Sequence, residues 1–498
     1  MNLQLSTQSL SSLRCEALIV PVFEDTPLAG PSLDADHALA GEIQRLIRKG
    51  LVHGRPNEVV PLFPPDDLGL PRVIVIGLGK EIDCNPDRCR EAAGTACRRA
   101  RDLGATSIAL PTFLPSHGKE SSEHYVQATV EGAILGLYEF NQHRTTISEH
   151  PPVQSIELLM SGGFQRPSHS SAARTGEILA RATNLARDWV NEPANQMTPQ
   201  ILATAALHLA EQFGLQAQVL GRKEMETEGM GALLGVTRGS NEPPTLVILE
   251  HRLVAGEPLV FVGKGITFDS GGISLKPALD MQQMKSDMAG AAAVIAAMTA
   301  IAQLELPIHA VGLAPACENL PSGSSYKPGD LLKALNGKTI EVVSTDAEGR
   351  LILADALCYA SRYKPAAVVD VATLTTACIT ALGQDVAAGI FSNNEPLLAK
   401  LRAAGELAGE KLWPLPLYEE YREKIKSPVA DVRNSGGRLG GVGTSAAFLR
   451  EFTSYPWAHV DIAGMALRET ANGFIPKGAS GFGVRTLVEF ARAWGRPG

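Results

Sequence analysis

Short apolar runs that break off at clusters of charged residues constrain this sequence most. Residues 258–263, 309–314, 366–371 and 386–391 are rich in Val, Ile, Leu and Ala, with helical patterns between them. A strand that is apolar on both faces belongs in a sheet covered on both sides. The pattern therefore predicts an α/β fold of two domains. Each is a mixed or mostly parallel sheet flanked by helices, and the C-terminal domain is the larger. The 498 residues, 45% hydrophobic and 20% charged, suffice for large cores without disulfides and exclude a disordered or collagen-like chain. A net charge of −8 offers no global basicity to attract nucleic acid or an anionic membrane.

The first 160 residues alternate between strand patterns (15–23, 72–77, 153–160) and helical ones (87–103, 125–140). A Gly-, Ser- and Pro-rich stretch at 161–171 predicts a boundary, giving an N-terminal α/β domain over 1–165. A linking helix follows over 166–190, and the larger C-terminal domain runs over 191–498. Seven cysteines stand at 15, 84, 89, 97, 317, 358 and 378 with no CxxC pair, which reads as reduced thiols. The N-terminus shows neither a basic n-region nor a signal-peptide core. The longest uncharged apolar stretch, 288–302, is 15 residues, short of the ~18 needed to cross a bilayer, and reads as an Ala-rich helix packed on both sides. These features predict a cytoplasmic protein without a membrane segment.

Three polar clusters interrupt the apolar pattern. VGKGITFDSGGISLKP carries Lys264, Asp269 and Lys276; QMKSDMAG carries Asp287; VVSTDAEGRL carries Asp346, Glu348 and Arg350. In open α/β sheets ligands bind beyond the carboxyl ends of strands, and the strand assignment puts all three clusters there. If the four carboxylates converge, they cannot all stay ionised without counter-charge, and two divalent cations supply it. Two such ions make a water acidic and polarise a carbonyl. None of the clusters contains His, and no HExxH motif occurs, which argues against a mononuclear His-rich zinc protease.

Each cluster also has a plainer interpretation. Thr345 and Glu348 match a capping box, Asp287 suits a helix N-terminus, and Lys264 or Lys276 alone reads as a solvated charge. The GKG around Lys264 lacks the Gly-x4-Gly-Lys-Ser/Thr of a phosphate loop, and Gly77-x-Gly79 lacks the third glycine of a dinucleotide loop.

Taken together, VGKGITFDSGGISLKP and STDAEGRL resemble the leucyl aminopeptidase (cytosol aminopeptidase) family, here of bacterial type. The resemblance runs through NEPANQMTP, MKSDMAG, NSGGRLGG and WAHVDIAG, roughly residues 180–490. Ser344 stands where the family's octapeptide has Asn. The resemblance implies that Lys264, Asp269, Asp287, Asp346 and Glu348 ligate two divalent cations, Mn2+ or Zn2+, with Mg2+ or Co2+ as alternatives. Asp287 would serve the exchangeable site with Lys264 and Asp269. Asp269 and Glu348 would bridge, and Asp346 would contribute to both sites. Lys276 would stabilise the oxyanion and Arg350 would hold a bicarbonate general base. Met284, Thr373 and Ala463 would wall an apolar pocket for the first side chain.

The implied activity is release of N-terminal residues, preferably Leu and other apolar ones, from peptide substrates by a homohexamer, a dimer of trimers. Some bacterial relatives also bind DNA through the N-terminal domain, in transcription regulation or site-specific recombination. Residues 1–150 carry 14 Lys and Arg against 19 Asp and Glu, so a DNA surface would need a stripe formed by Arg88, Arg90, Arg98, Arg99 and Arg101 on one helix. A phosphoesterase with the same metals is a third reading, although such sites are richer in His.

Overall fold

The N-terminal part of the chain forms strands β1 (Asn2–Ser6), β2 (Ala17–Val22), β3 (Val59–Leu62), β4 (Val73–Gly77), β5 (Ser107–Pro111) and β6 (Ser155–Leu159), of which β2 and β4 are the β-branched runs. They pair in the order β1-β6-β5-β2-β4-β3. All neighbours are parallel except β3 and β4. Every residue of β4 is buried, as a strand covered on both faces requires. This computed structural model describes residues 1–6, 13–65, 70–116, 120–146, 150–160 and 167–495.

Two units share the chain. One holds Met1–Arg181 with Thr470–Lys477, the other Ala182–Glu469 with Gly478–Gly498. Residues 161–166 of the Gly- and Ser-rich boundary lie outside the described residues, while 167–171 already belong to the helix Pro167–Asn191. The division between units falls inside that helix, at Arg181 and Ala182.

The arginine stripe on the helix Pro86–Asp102 is not there. Arg90 is 1% exposed and pairs with Glu131 at 2.7 Å and Asp87 at 2.8 Å. Arg101 is buried against Asp102 and Glu139, both at 2.9 Å. Arg98 donates to the Gly473 carbonyl, Arg88 is half-buried, and Arg99 alone of the five is exposed. Counting arginines overstated the surface charge because burial and internal partners take up most of them.

The second unit contains β7 (Gln216–Leu220), β8 (Thr245–Arg252), β9 (Leu259–Gly263), β10 (Gly265–Asp269), β11 (His309–Asn319), β12 (Leu331–Lys333), β13 (Thr339–Glu341), β14 (Ala367–Ala372), β15 (Ala388–Ser392), β16 (Leu412–Pro414), β17 (Val432–Arg433) and β18 (Trp457–Asp461). A nine-stranded sheet runs β16-β15-β18-β14-β9-β11-β8-β7, with β10 added beside β11. Its centre, β18-β14-β9-β11, is parallel, so the carboxyl ends of these strands open on one side. Strands β12, β13 and β17 form a separate small sheet. The third polar cluster therefore follows β13 of that small sheet rather than a strand of the large one, a correction to the sequence-based placement.

The Ala-rich helix Ala289–Gln303 is buried at every residue but the last. Its composition follows from how close it lies to the sheet. A Cβ on Gly290 would come within 2.1 Å of the Val371 carbonyl oxygen, so a larger residue would force the helix off β14. Together with the preceding turn it makes a 23-residue stretch, Met281–Gln303, with the length and hydropathy to cross a bilayer, but 94% of its apolar window is buried within the protein.

Asp355, on the helix Gly349–Ala360, ties neighbouring elements to that helix. Its two oxygens accept from the amides of Leu233 and Leu335, each at 2.8 Å. Burial pushes its carboxyl up to about 7 against the pull of these donors. An unfolded aspartate releases its proton near ~3.9. Between these values the unfolded chain binds fewer protons than the folded one, so stability falls as pH rises through the window. The expected slope from this residue is at most about 1.4 kcal/mol per pH unit. Apparent melting temperature against pH, compared between the native chain and Asp355→Asn, checks it; parallel curves from pH 4 to 7 would refute the assignment.

Candidate metal centre

Strand ends deliver most of the site. Lys264 directly follows β9, Asp269 ends β10, Thr373 follows β14 and Asp461 ends β18. Asp287 lies in the 3-10 turn Met281–Met288 that leads into the Ala-rich helix. Asp346 and Glu348 occupy the loop between β13 and the helix Gly349–Ala360. That loop does not form the capping box, because Glu348 is itself the helix cap and Thr345 is engaged elsewhere. The Thr345 hydroxyl donates to the Gly271 carbonyl at 2.6 Å and accepts from the Ser274 amide at 2.8 Å, fastening the third cluster to the first.

The five candidate ligands and Lys276 come together. Lys264 Nζ donates to Asp287 Oδ1 at 2.8 Å and to the Thr373 carbonyl at 2.9 Å, and lies 2.9 Å from Glu348 Oε1. Lys276 Nζ is 2.8 Å from Asp269 Oδ2 and also pairs with Asp346. One ligand oxygen from each of Asp269, Asp346 and Glu348 lies within 4.8 Å of the others. Lys264, Asp269, Asp287 and Glu348 are buried, whereas Asp346 is exposed and marks the open side.

Electrostatics tests whether these residues suit a cation. Four carboxylates and two ammonium groups leave two net negative charges in a largely buried site. At an effective dielectric of ~20, two like charges 4 Å apart repel by about 4 kcal/mol. The acids register this strain. Burial and the Glu348 charge push Asp269 up to about 6. Burial also lifts Asp287 well above, and Asp346 above, the ordinary range. Glu348 goes the other way: burial would raise it, but Lys264 and Lys276 hold it low. Both lysines keep their protons beyond the usual range, because the carboxylates around them outweigh burial. Lys264 Nζ also lies 2.7 Å from Asp287 Oδ2, so the one ammonium serves both oxygens of that carboxylate. Excess negative charge and a cluster of hard oxygen donors fit divalent cations.

Arg350 is buried next to this cluster. Its Nη1 donates to the Asn434 carbonyl at 2.8 Å, its Nε has no partner among the described residues, and burial lowers it to about 10. Of the proposed pocket residues, Thr373 donates to Asp287 Oδ1 at 2.8 Å and so touches the acidic cluster. Met284 and Ala463 are half-buried, and the Ala463 amide donates to Asp461 at 3.2 Å.

Three polar residues, Asn319, Asn434 and Asp461, escaped the sequence-based reading, and a fourth, Ser344, was noted there only as a departure from the family octapeptide. Asn319 pairs with Asp269 across β10 and β11, and its amide nitrogen donates to Asp269 Oδ1 at 2.8 Å and to the Thr345 carbonyl at 2.9 Å. Asn434 accepts from Val343 at 2.7 Å and donates to the Ser344 carbonyl at 2.7 Å, bracing the loop that carries Asp346. Ser344 Oγ accepts from the Asp346 amide at 3.2 Å, so the serine still supplies a hydrogen bond to that loop. Asp461 accepts from the amides of Leu374 and Ala463 and from the Thr375 hydroxyl, joining the loops after β14 and β18. The signal for Asn319 was available: it is the polar end of an 11-residue, almost wholly buried strand.

Gly349 lets the Lys264 side chain cross the start of its helix. A Cβ there would stand 2.3 Å from Lys264 Cε and 2.6 Å from Nζ. Gly349→Ala is expected to expel the ammonium from Asp287 and Glu348, at a cost of about 3 kcal/mol for breaking a buried pair. Gly323→Ala, with nothing within 4 Å, is the control. Thermal unfolding checks this; equal melting temperatures for the two variants would refute it.

Comparison with known proteins places this geometry. The pattern of the cytosol aminopeptidase family, catalytic domain, matches residues 184–488, and that of the family's N-terminal domain matches residues 19–146. "Probable cytosol aminopeptidase" of Geobacter sulfurreducens is 44% identical over 483 residues, 96% of this chain and 97% of that protein. The protein of the same name from Roseiflexus castenholzii is 44% identical over 480 residues, 95% and 98% of the two chains. Among solved structures, a variant of tomato leucine aminopeptidase superposes with a TM-score of 0.88 at 32% identity, covering 99% of this chain and 96% of that one. The bottromycin maturation enzyme BotP in complex with Mn superposes with a TM-score of 0.85 at 35% identity, covering 97% and 100%. The chain belongs to the cytosol aminopeptidase family.

Proposed function

We propose that this aminopeptidase is a dinuclear metallo-enzyme that releases N-terminal Leu and other apolar residues from peptides. The convergence of Asp269, Asp346 and Glu348 oxygens within 4.8 Å, beside Lys264 and Asp287, carries the reading. Those five residues would hold two divalent cations, Mn2+ or Zn2+, with Mg2+ or Co2+ as alternatives. Bound there, the cations supply Lewis acidity, making a water acidic and polarising the scissile carbonyl.

The chain's own groups do the rest. To act as a ligand, Lys264 must give up the proton that Asp287 and Glu348 hold on it, so cation binding releases a proton. Lys276 remains protonated between Asp269 and Asp346 and donates to the oxyanion that develops on the carbonyl oxygen. The planar Arg350 guanidinium suits a planar anion, and a bicarbonate held there would supply the general base. The exposed side at Asp346 admits the peptide. Thr373, Met284 and Ala463 line the place of its first side chain. Assembly into a homohexamer, dimer of trimers, completes the reading as the family resemblance implies it. The inward-turned Arg90 and Arg101 give no support to a DNA-binding stripe on the helix Pro86–Asp102.

The test is release of Leu from a Leu anilide and from free and N-acetylated peptides, before and after chelation. The expected outcome is loss of activity on chelation, recovery with Mn2+ or Zn2+, and no cleavage of the acetylated peptide. Undiminished turnover in metal-free protein would overturn the proposal. Titrating cations into weakly buffered metal-free protein is expected to release protons, and cation affinity to fall as pH is lowered.

A further inference from the structure

Two thiols of the N-terminal unit have no part in the acidic site. Local folding brings them together. Asn85 caps the helix Pro86–Asp102, its side chain accepting from the Arg88 amide at 2.9 Å, and Pro86 opens the first turn. Cys84 is then the residue before the cap and Cys89 the fourth residue of the helix. Side chains at these two positions ordinarily meet as an apolar staple. Here the staple is two sulfurs, with Sγ···Sγ 3.6 Å.

The pair is asymmetric. Cys84 is 5% exposed and follows a short 3-10 turn, Glu81–Asp83, whereas Cys89 is wholly enclosed. Cys89 has one proton and two acceptors in reach, the Cys84 sulfur and the Phe113 carbonyl oxygen at 3.5 Å. Donation from Cys89 and, against burial, the nearby Arg88 charge bring the Cys84 thiol below its ordinary range. Burial lifts Cys89 well above it. The other five thiols are all raised by burial, Cys15 to about 11 and Cys358 and Cys378 to about 12. A more nucleophilic outer sulfur touching a buried inner one is the arrangement of an attacking and a resolving cysteine.

We propose that Cys84 and Cys89 form a redox-active dithiol that a hydroperoxide converts to a disulfide. The Cys84 sulfur attacks the peroxide, the O–O bond breaks, and Cys84 becomes a sulfenic acid as the first water (an alcohol, from an organic peroxide) departs. The Cys89 sulfur then attacks the Cys84 sulfur, the S–O bond breaks, and the hydroxyl leaves as water with the Cys89 proton. Two thiols are oxidised and one peroxide is reduced. The sulfurs must close from 3.6 Å to about 2.05 Å. Cys84 lies outside the helix, and the Tyr125 hydroxyl donates to its backbone carbonyl, at 3.2 Å, not to its sulfur. Closure therefore calls for a change in the Cys84 side-chain torsion within its buried surroundings.

The experiment treats reduced full-length protein with hydrogen peroxide at neutral pH, blocks free thiols and maps tryptic peptides without reduction. Trypsin cuts after Arg88, so the product is peptide 81–88 joined to peptide 89–90, lighter by two hydrogens and separable by dithiothreitol. It is expected to form at least about tenfold faster than any other thiol is oxidised. Cys89→Ser is expected to halt Cys84 at the sulfenic acid, which dimedone traps, and Cys84→Ser to leave Cys89 reduced. The proposal is overturned if both cysteines stay open to alkylation while other thiols oxidise, or if Cys89 oxidises as readily without Cys84.

Discussion

Four acids that repel one another must be kept close, and much of the second unit serves that constraint. Asp269, Asp287, Asp346 and Glu348 arrive from three separate stretches of chain, and two lysines neutralise only half their charge. A cluster of this kind holds its shape only if the backbone around it is over-determined. Asn319 bridges Asp269 to the Thr345 carbonyl, Thr345 fastens its loop to Gly271, and Asn434 braces the same loop from the other side. These neutral donors and acceptors add no charge to a site that already carries too much.

Close packing beneath the site serves the same end. Small residues let the Ala-rich helix approach β14, which sets Asp287 at its start within reach of Lys264 and Thr373. Asp355 anchors the helix that follows Glu348 to neighbouring segments. Asp461 ties together the loops that bear Thr373 and Ala463. Each is a buried acid satisfied by amides, and each removes freedom from a segment that carries a site residue.

The N-terminal unit shows how charge and cysteine counts mislead when read along the chain. Five arginines on one helix suggested a basic face, yet Glu131, Asp87 and Glu139 turn two of them inward. Cys84 and Cys89 looked unremarkable because five residues is no usual metal spacing, yet a helix cap between them puts the sulfurs in contact. In both cases the partner that decides the behaviour is set by a turn or by another helix.

The sequence by itself determined the α/β class, the buried central strands and the identity of the charged side chains. Strand apolarity and charge clusters are local properties, visible wherever the chain is read. It also contained, in Lys264, Asp269, Lys276, Asp287, Asp346 and Glu348, the members of the acidic centre. Only the tertiary structure decided that the Asp346 loop follows a small separate sheet, that Thr345 serves as a clasp rather than a cap, and that Asn319, Asn434 and Asp461 hold the site together. A hydrogen bond between residues 26 or 90 positions apart leaves no periodicity and no net charge in the sequence. It exists only once strand order and register have brought its two ends to the same place.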